Sequence, residues 1–558
     1  MNLIKNFIEK DCDFSNYDDL RKNFKIKKPD NFNFAFDVVD VYAEKDPEKR
    51  AIVWCDDKGG EKFINFRELS VESKKAANFL LSQGVKKGDK VLMILRRRWE
   101  FWITIIALHR IGATAVPATN QLLQKDIEYR IDAAKIKTII ACDDPVLKEI
   151  EAACANKNLV DRLILVSSAH DVKTTRSDWI DFHEGVAAAS DDFGREKCST
   201  ANDDIMLLYF TSGTSGYPKM VQHDFLYPLA HIVTAKIWQN VVDGGLHLSV
   251  AETGWAKAMW GKLYGQWICG SAVFVYDMVQ FKPHLLMQKL SDYKVTTFCA
   301  PPTVYRYLVR TDLSKYDLSS LTHCVTAGEA LNPEVYNKFL SLTGLKMYEG
   351  YGQTESGITA GTFMGMEPKP GSMGKPAPGY DLQIVDENGE QAQPGETGYI
   401  VLKFHGEKPI GLFAGYYNDD NLTKSVFSNG VYRTGDTAYY DEDGYIWFVG
   451  RSDDLIKSSG YRVSPFEVES IFQQHPSVLE CAVTGIPDKK RGQAIKATVV
   501  LAKGFEATEE LKLKLMTYVK ERTANYKQPR VLEFVKELPK TISGKIRRVE
   551  IRDQDNAE

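Results

Sequence analysis

The sequence predicts an α/β fold: a large N-terminal region of layered α/β subdomains with a β-rich subdomain, followed by a small mobile α+β C-terminal domain. Short apolar runs alternate with amphipathic segments up to about residue 370, which is the pattern of strands and helices in parallel sheets. Gly-Pro turns and alternating strands follow, and the α/β pattern returns from residue 464. A chain of 558 residues is too long for one hydrophobic core, so we expect two to four domains.

Apolar runs mark the strands of the first region. The runs that predict buried strands are 91-VLMIL-95, 137-KTIIA-141, 162-RLILV-166, 205-IMLLYF-210, 272-AVFVY-276 and 295-VTTFCA-300. The amphipathic segment 68–84 lies among them and predicts a helix that ends at a glycine cap. Segment 220–233 predicts a further helix directly after the strand at 205–210.

The last third of the chain carries two different patterns. Segment 379–403 alternates apolar and polar residues around the turn sequence DENG, which predicts a β-rich subdomain. The segments after residue 464 predict a small independent domain, with helices at 465–475 and 508–522 and strands at 479–486 and 495–502.

Composition and charge exclude several classes of protein. The net charge is -4 and the pI is near 6.3, so no global basic field favours nucleic acid, and the arginine run 96–98 is too short to change this. Nine scattered cysteines form no C-x-x-C pair, which argues against a disulfide framework or a zinc site. The N-terminus does not resemble a signal peptide, and the longest apolar stretches are too short for a membrane span. These features predict a soluble, cytoplasmic protein.

The loop 210-FTSGTSGYPK-219 has the composition of a phosphate-binding segment. Its glycines let the backbone approach a ligand, and its hydroxyls and lysine are donors to an anion. It is not a Walker loop, because Gly216 is followed by Tyr217 and Pro218 and not by a Lys-Ser/Thr pair. A Ser/Gly-rich surface linker is the alternative interpretation.

Two further segments place carboxylates beside hydroxyls or tight turns. In 348-YEGYGQTESG-357, Thr354 and Glu355 lie in one turn, which suits phosphate together with Mg²⁺, and a polar loop with a helix cap is the alternative. In 432-YRTGD-436, Asp436 can accept hydrogen bonds from two vicinal ribose hydroxyls, and an ordinary Asx turn is the alternative.

The last two segments lie at the junction and near the end of the chain. Segment 450–469 places Asp453 and Asp454 where the sequence pattern changes, as at a hinge, with a plain linker as the alternative. Segment 539-PKTISGKIRR-548 presents Lys545 in a loop, with a basic tail on a solvated face as the alternative.

Taken in this order, the five segments resemble the adenylate-forming superfamily, which includes acyl-CoA synthetases, adenylation domains of peptide synthetases and luciferase-like enzymes. The resemblance covers roughly residues 35 to 550, and 32-FNFAFDVVDVYAEKDPEKRAIVW-54 and 348-YEGYGQTE-355 are similar to the medium-chain acyl-CoA synthetase branch in particular. It implies an N-terminal adenylation domain, 1–452, and a mobile C-terminal domain, 453–558.

The resemblance implies an AMP-forming acid–thiol ligase. A carboxylic acid, ATP and CoA would give acyl-CoA, AMP and pyrophosphate through an acyl-adenylate, with Mg²⁺ as cofactor. A negatively charged acid must approach a charged phosphate, so the site must neutralise charge at the transition state.

The resemblance also implies roles for individual residues. The β- and γ-phosphates of ATP would be held by Thr211, Ser212, Gly213, Thr214, Ser215, Gly216 and Lys219. The adenine and ribose pocket would be lined by Gly328, Glu329, Ala330, Glu349, Gly350, Tyr351, Gly352 and Gln353. The remaining contacts would come from Thr354 to the α-phosphate, Glu355 to Mg²⁺, Asp436 and Arg451 to the ribose, and Lys545 to both the carboxylate and the α-phosphate.

In the second step, rotation at the hinge residue Asp453 would remove Lys545 and bring in the CoA-binding residues. Gly460 would leave room for the pantetheine arm, and CoA contacts would come from Ser459, Gly460, Tyr461, Arg462, Arg491 and Lys527. Acetylation of Lys545 by a lysine acetyltransferase would remove the catalytic charge. A homo-oligomer is left open.

The acyl pocket is expected at Trp255, Lys257, Trp260 and Gly352. A Trp closes the pocket at the position of Gly352 in acetate-using enzymes, so its absence here implies a longer acid. Lys257 is unusual in an apolar pocket, because a charge there is unfavourable unless it is paired or snorkels to a polar edge. We expect a short-to-medium-chain or branched acid. Core packing of the two Trp residues is the alternative, and an aromatic acid stays open.

Two other functions compete with the ligase interpretation. A stand-alone adenylation enzyme that loads a carrier protein shares the fold, but 459-SGYR-462 and the absence of a carrier-domain signature favour CoA. An inactive nucleotide-binding regulator is disfavoured because Thr354, Glu355, Asp436 and Lys545 are all present.

Overall fold

The computed structural model describes residues 1–143, 145–155, 159–167, 174, 176–211, 218–459, 461–540 and 546–557, without the side chains of Arg462, Asn556 and Ala557. The helices are α1 (Tyr17–Asn23), α2 (Val41–Lys45), α3 (Phe66–Ser82), α4 (Glu100–Ile111), α5 (Gln124–Ala134), α6 (Val146–Ala155), α7 (Phe182–Ala188), α8 (Tyr227–Ile232), α9 (Ala256–Gly261), α10 (Tyr264–Ile268), α11 (Pro283–Asp292), α12 (Pro302–Leu308), α13 (Pro333–Thr343), α14 (Asp420–Val426), α15 (Pro465–Gln473), α16 (Glu509–Lys520) and α17 (Arg548–Ala557). Short 3-10 or π-helical segments occur at Ile4–Asn6, Ala35–Asp40, Arg195–Lys197, Val233–Trp238, Leu313–Lys315 and Asn525–Lys527.

The strands of the described residues form four sheets. They are β1 (Arg50–Asp56), β2 (Glu61–Asn65), β3 (Lys90–Ile94), β4 (Thr114–Pro117), β5 (Thr138–Cys142), β6 (Arg162–Val166), β7 (Trp179–Asp181), β8 (Ile205–Thr211), β9 (Lys219–Asp224), β10 (Leu246–Ser249), β11 (Ala272–Asp277), β12 (Thr297–Ala300), β13 (His323–Ala327), β14 (Met347–Gln353), β15 (Gly357–Gly361), β16 (Lys375–Pro376), β17 (Asp381–Val385), β18 (Gly398–Lys403), β19 (Gly415–Tyr416), β20 (Phe427–Ser428), β21 (Val431–Tyr440), β22 (Ile446–Arg451), β23 (Ile456–Ser458), β24 (Tyr461–Val463), β25 (Val478–Asp488), β26 (Gly492–Leu501) and β27 (Val531–Val535).

Two large sheets form the N-terminal region. The first has the order β16-β15-β14-β13-β12-β10-β11-β1-β2, and its central pairs from β14 to β1 are parallel. The second has the order β19-β9-β8-β4-β3-β5-β6-β7, with parallel pairs from β8 to β7. Buried helices such as α4, in which every residue is buried, cover these sheets. The predicted α/β layering is therefore confirmed.

Several predicted elements lie where the sequence patterns put them. The buried strands β3, β5, β6, β8, β11 and β12 match the predicted runs to within one or two residues. Helix α3 begins with a capping box between Asn65 and Glu68, and Gly84 follows its end with a φ of +81°.

The predicted helix at 220–233 is wrong over its first half. Residues 219–224 form β9, which pairs with β8 in an antiparallel hairpin, and α8 begins only at Tyr227. Val221 and His223 are buried while Met220 and Gln222 are partly exposed, so the burial period is two and not 3.6. Pairing with β8 on one side and with Gly415 and Tyr416 on the other decides the structure of this segment.

The β-rich subdomain follows. Strands β17, β18, β21 and β20 pair in this order, and β22 pairs with β21. The DENG turn follows β17, with Gly389 at a φ of +88°.

The C-terminal part is a small α+β unit. Its sheet has the order β24-β23-β26-β25, with β27 parallel to β26, and α15 and α16 pack on it. An ion-pair cluster ties its last helix to the junction segment: Arg552 lies 2.6 Å and Arg548 3.8 Å from the Asp454 carboxylate, and Arg548 also contacts Glu469 at 2.7 Å.

The carboxyl edges of the two large sheets meet each other. Arg96, directly after β3, contacts Asp277 at the end of β11 at 3.0 Å. A Cβ atom added to Gly254, after β10, would lie 2.2 Å from the Thr119 nitrogen after β4. Ligands of open α/β sheets bind at such carboxyl edges. All nine cysteines are free thiols, and none of the described helices is long and apolar enough to cross a membrane.

Candidate active site

The phosphate-loop candidate begins and ends on a β-hairpin. Thr211 and Lys219 face each other across β8 and β9, and they flank the Ser/Gly-rich segment. The Lys219 ammonium lies 5.4 Å from the centre of the Tyr416 ring, which brings it beside the turn that carries Glu355. Ser212, Gly213, Thr214, Ser215 and Gly216 lie outside the described residues.

The turn after β14 is anchored from two sides. The imidazole Nε2 of His223 donates to the backbone oxygen of Thr354 at 2.7 Å. Burial lowers the pKa of His223 to about 3, so the ring is neutral at physiological pH. The Tyr416 hydroxyl donates to Oε1 of Glu355 at 2.9 Å, and Phe413 N donates to the Glu355 backbone oxygen at 2.8 Å.

Asp436 accepts hydrogen bonds from two side chains of β14. The Tyr351 hydroxyl donates to its Oδ2 at 2.5 Å and Gln353 Nε2 donates to the same oxygen at 2.7 Å. Gln353 is itself fixed, because its Oε1 accepts from the Tyr432 hydroxyl at 2.8 Å and its Nε2 also donates to Thr434 O at 3.0 Å. A carboxylate is thereby presented at the junction of the nine-stranded sheet with the β-rich subdomain.

Arg451 stands opposite Asp436 in the β21–β22 pair. One of its guanidinium nitrogens lies 3.6 Å from the Asp436 carboxylate, and its Nε donates to Asp453 at 3.3 Å. Burial lowers the pKa of Arg451, but the Asp436 and Asp453 carboxylates outweigh burial and raise it overall. The expected ribose pair and the expected hinge residue are therefore in contact.

The 328–331 segment leaves the carboxyl end of β13. Gly328 has a φ of +101°, and the Glu329 carboxylate accepts from Thr303 Oγ1 at 2.8 Å and lies 3.5 Å from Arg306. Ala330 is partly buried. Glu349 on β14 supports the segment, because its Oε1 accepts a hydrogen bond from Leu331 N at 3.1 Å.

Glu349 is buried, and burial raises its pKa to about 8, so it carries a proton at neutral pH. Through its hydrogen bond from Leu331 N, this uncharged side chain supports the segment that would hold the nucleotide.

Glycines of β14 allow close packing. A Cβ on Gly350 would lie 2.7 Å from the Trp238 ring, and one on Gly352 would lie 1.7 Å from the Gly357 backbone oxygen. The position beside Gly352 is therefore filled by the β15 backbone, so a side chain at 352 requires β15 to move.

The other three acyl-pocket candidates lie in different environments. Trp260 is buried in the N-terminal core, and its indole nitrogen has no hydrogen-bond partner among the described residues. Trp255 is partly buried directly before α9, whereas the Lys257 ammonium donates to the backbone oxygen of Ala327. The charge of Lys257 thus ends at the carboxyl edge of β13, a polar environment.

The CoA candidates cluster on the C-terminal part. Tyr461 is half-exposed and stacks on Tyr526 at 4.2 Å, Lys527 pairs with Glu467, and Arg491 lies 3.5 Å from Asp488. Ser459 has a φ of +53° and donates its N–H to Arg491 O at 2.9 Å. Gly460 and Lys545 lie outside the described residues, and the Arg462 side chain is not described.

The donor set at Glu355 fits a magnesium ion that is shared with a nucleotide. Mg²⁺ is usually held by one or two carboxylates plus substrate phosphates. Among the described residues no cluster of three or more His, Cys, Asp or Glu could hold a metal by itself.

Four supporting residues were missed by the sequence predictions: His223, Arg306, Tyr416 and Tyr432. Tyr416 lies in a segment without a recognisable motif. Tyr432 begins the 432–436 segment, but that motif indicates no role for it, and only contacts between sheets bring the two tyrosines to Glu355 and Gln353.

The fold and this site define a nucleotide-dependent enzyme of the adenylate-forming type, and the comparison with known families agrees. The AMP-binding enzyme family matches residues 39–417, and the AMP-binding enzyme C-terminal domain matches residues 467–545. The chain belongs to the AMP-binding enzyme family, so the resemblance seen in the sequence is confirmed. The expected boundary at 452/453 lies between the two matches and stays a prediction.

Curated relatives and solved structures cover nearly the whole chain. "Acyl-coenzyme A synthetase ACSM3, mitochondrial" of Mus musculus is 43% identical over 97% of this chain and 94% of its own length. "Acyl-coenzyme A synthetase ACSM4, mitochondrial" of Homo sapiens is 43% identical over 94% of this chain and 91% of its own length. The crystal structure of the anthranilate CoA ligase AuaEII in complex with anthranoyl-AMP has a TM-score of 0.85 and 28% identity, covering 95% of this chain and 98% of its own.

The predicted cytoplasmic location is wrong by this comparison, because both curated relatives are named as mitochondrial. Free thiols indicate a reducing compartment and do not distinguish one such compartment from another.

Proposed function

We propose that the chain is an ATP-dependent acyl-CoA ligase that converts a carboxylic acid, ATP and CoA to acyl-CoA, AMP and pyrophosphate. The family match and the names of its relatives confirm the expected class, an AMP-forming acid–CoA ligase. The acid is a short-to-medium-chain or branched one, and the enzyme belongs to fatty acid metabolism.

The observation that carries the proposal is the convergence of Gln353, Asp436 and Arg451 beside the Thr354–Glu355 turn. A buried carboxylate held by two donors suits the vicinal hydroxyls of a ribose. The neighbouring Lys219 supplies positive charge near the position where phosphates would lie.

Charge neutralisation is the main task in the first step, since an anionic acid attacks an anionic phosphate. Lys219 and the loop from Thr211 to Gly216 bind the β- and γ-phosphates, Thr354 the α-phosphate, and Lys545 the α-phosphate together with the carboxylate. The nucleotide base and ribose lie against residues 328–330 and 349–353. Glu355 holds Mg²⁺, which supplies Lewis-acid stabilisation of phosphate charge when bound.

In the second step the C-terminal domain turns at Asp453, and the CoA residues replace Lys545 at the same site. The contact of Asp453 with Arg451 links the pivot to the ribose pair and supports this assignment. The CoA contacts assigned to Ser459, Gly460, Tyr461, Arg462, Arg491 and Lys527 follow from it. Acetylation of Lys545 would abolish the first step by removing its charge.

The acyl chain would extend toward Trp255, Trp260 and Gly352. The buried Trp260 limits the depth of this region, which favours short or medium chains. An aromatic acid is the second candidate, supported by the likeness to the anthranilate CoA ligase.

The test is release of AMP and pyrophosphate with ATP, Mg²⁺ and acids from acetate to dodecanoate, with branched and aromatic members, each with and without CoA. CoA-dependent turnover that peaks among short-to-medium or branched acids is the expected result. Pyrophosphate release with no CoA-dependent thioester would move the acceptor to a carrier protein.

A further inference from the structure

Lys257 is the one charged member of the expected acyl pocket, and its position does not suit that role. It lies in the first turn of α9, three residues before the buried Trp260. Its ammonium donates to the backbone oxygen of Ala327, the last residue of β13. A Cβ added to Gly328 would lie 3.3 Å from the ammonium nitrogen. The charge therefore lies against the segment that is expected to hold the nucleotide.

The strands place this charge at the same edge of the sheet as the Thr354 turn. Ala327 pairs with Gly350 in the parallel β13–β14 pair, and β14 continues to Gln353 and the turn. Both strand ends therefore lie at the same carboxyl edge of the sheet, where a phosphate would be bound between the two segments.

Two neighbouring groups describe the electrostatics at this edge. The carboxylate nearest in sequence to Gly328 is Glu329, which is engaged with Thr303 and Arg306. The Lys257 charge also reaches Cys299 at the end of the neighbouring strand, where it opposes the effect of burial, which raises the pKa of the thiol.

We propose that Lys257 binds the phosphate of the bound acyl-adenylate and of AMP, as a cation fixed to the N-terminal domain. The proposal rests on the proposed function and deepens it. Lys545 belongs to the C-terminal domain and would leave the site before the second step. Lys257 lies in the N-terminal domain and would stay during both steps.

The second step creates charge at this phosphate. The CoA sulfur forms a bond to the acyl carbon, the bond between the acyl carbon and the phosphate oxygen breaks, and its electron pair goes to AMP. The thiol proton is released to solvent. AMP gains one negative charge, and a cation held beside it stabilises the transition state of departure.

The test compares Lys257→Met with the original chain, with Lys257→Arg as the conservative variant. Lys338→Met, on the exposed face of α13, is the matched control. Calorimetry measures the binding of AMP and of adenosine to each protein. Rapid-quench kinetics then measures the reaction of CoA with a preformed acyl-adenylate.

We expect Lys257→Met to weaken AMP binding by about tenfold or more and to leave adenosine binding within about twofold, since only AMP carries the phosphate that the lysine would bind by a charge-assisted hydrogen bond. Lys257→Arg should restore most of the AMP affinity. Thioester formation from the adenylate should slow by a similar factor in Lys257→Met, while the control Lys338→Met should leave this step unchanged.

Equal weakening of AMP and adenosine would assign Lys257 a structural role and overturn the proposal. Unchanged AMP binding with an altered acid preference would return Lys257 to the acyl pocket and also overturn it. The binding comparison needs no turnover, so a chain that binds AMP but makes no acyl-CoA would contradict the proposed function and still decide the role of Lys257.

Discussion

Tyr351 and Asp436 join two sheets through one hydrogen bond: the tyrosine hydroxyl on β14 donates to the carboxylate on β21 at 2.5 Å. Burial, and next the Asp436 charge, raise the pKa of Tyr351 well above its ordinary value, so the phenol keeps its proton and remains a donor. The position of Asp436 is therefore set by the nine-stranded sheet, although Asp436 itself belongs to the β-rich subdomain.

Asp436→Asn should weaken ATP binding by about ten- to hundredfold, because the neutral amide loses the charge that would accept from the ribose hydroxyls. The KM for ATP in the pyrophosphate-release assay measures this effect. Asp381→Asn, an exposed carboxylate on β17, is the control and should leave the KM unchanged. An Asp436→Asn enzyme with an ordinary KM would exclude the ribose role.

Tyr416→Phe should raise the Mg²⁺ concentration needed for half-maximal activity by about tenfold, since residues that orient a metal-binding carboxylate commonly contribute that much. Glu355→Gln should raise it further, because the carboxylate itself is lost. Titration of activity with Mg²⁺ at saturating ATP measures both changes. Tyr417→Phe is the neighbouring control, and equal Mg²⁺ dependence in all four proteins would contradict the assignment.

Glu349→Gln should change the pH dependence of stability. Burial raises the Glu349 pKa from 4.5 to about 8, so between these values the native state binds more protons than the unfolded chain. The stability that this proton contributes is fully present below pH 4.5 and is lost as the pH rises through 8, by up to about 1.4 kcal/mol per pH unit.

Thermal unfolding at pH 5.5 and pH 7.5 tests this effect. The original chain should lose stability between pH 5.5 and pH 7.5, whereas Glu349→Gln should not lose this contribution. The difference in Tm between the variant and the original chain should therefore be more favourable to the variant at pH 7.5 than at pH 5.5. The exposed Glu334→Gln should show the same offset at both pH values. A constant offset for Glu349→Gln would mean that the buried carboxyl is already ionised.

Asp454→Asn should loosen α17, because the helix loses the charge that Arg552 contacts at 2.6 Å and Arg548 at 3.8 Å. These groups are only partly buried, so we expect a loss of about 1–2 kcal/mol in local stability. Hydrogen exchange of the amides of α17 measures it. Asp553→Asn, exposed on the same helix, is the control, and equal exchange in both variants would mean that Asp454 does not hold α17.

Trp260→Ala should shift the preferred acid toward longer chains, because removing the buried indole opens the end of the proposed acyl region. The kcat/KM values for the acid series measure the preference. Trp179→Ala, at the edge of the eight-stranded sheet, is the control. An unchanged preference would mean that Trp260 is a core residue only.

Much of the fold could be predicted because its signals are local. The apolar runs of β3, β5, β6, β11 and β12 are read directly from the sequence, as is the cap of α3. The start of β9 could not be predicted in the same way, because one of its two partners, Gly415–Tyr416, lies far away in the chain, and the hairpin with β8 carries no two-residue turn motif.

In the candidate site, too, residues marked by a local motif could be predicted and residues brought in by contacts between sheets could not. Motifs indicated Gln353, Thr354, Glu355, Asp436 and Arg451, since each lies in a short segment with a chemical pattern. No motif indicated that Tyr416 and Tyr432 orient these residues, because the two tyrosines reach Glu355 and Gln353 only through contacts between sheets. The direction of Lys257 likewise depends on where β13 ends, which no local rule gives.

The most direct test of the central claim is mass-spectrometric detection of acyl-CoA and AMP after incubation with ATP, Mg²⁺, CoA and the preferred acid. We expect acyl-CoA and AMP in equal amounts, with formation abolished in the Lys545→Ala protein and restored by a preformed acyl-adenylate. Formation of ADP in place of AMP, or consumption of ATP without any thioester, would contradict it.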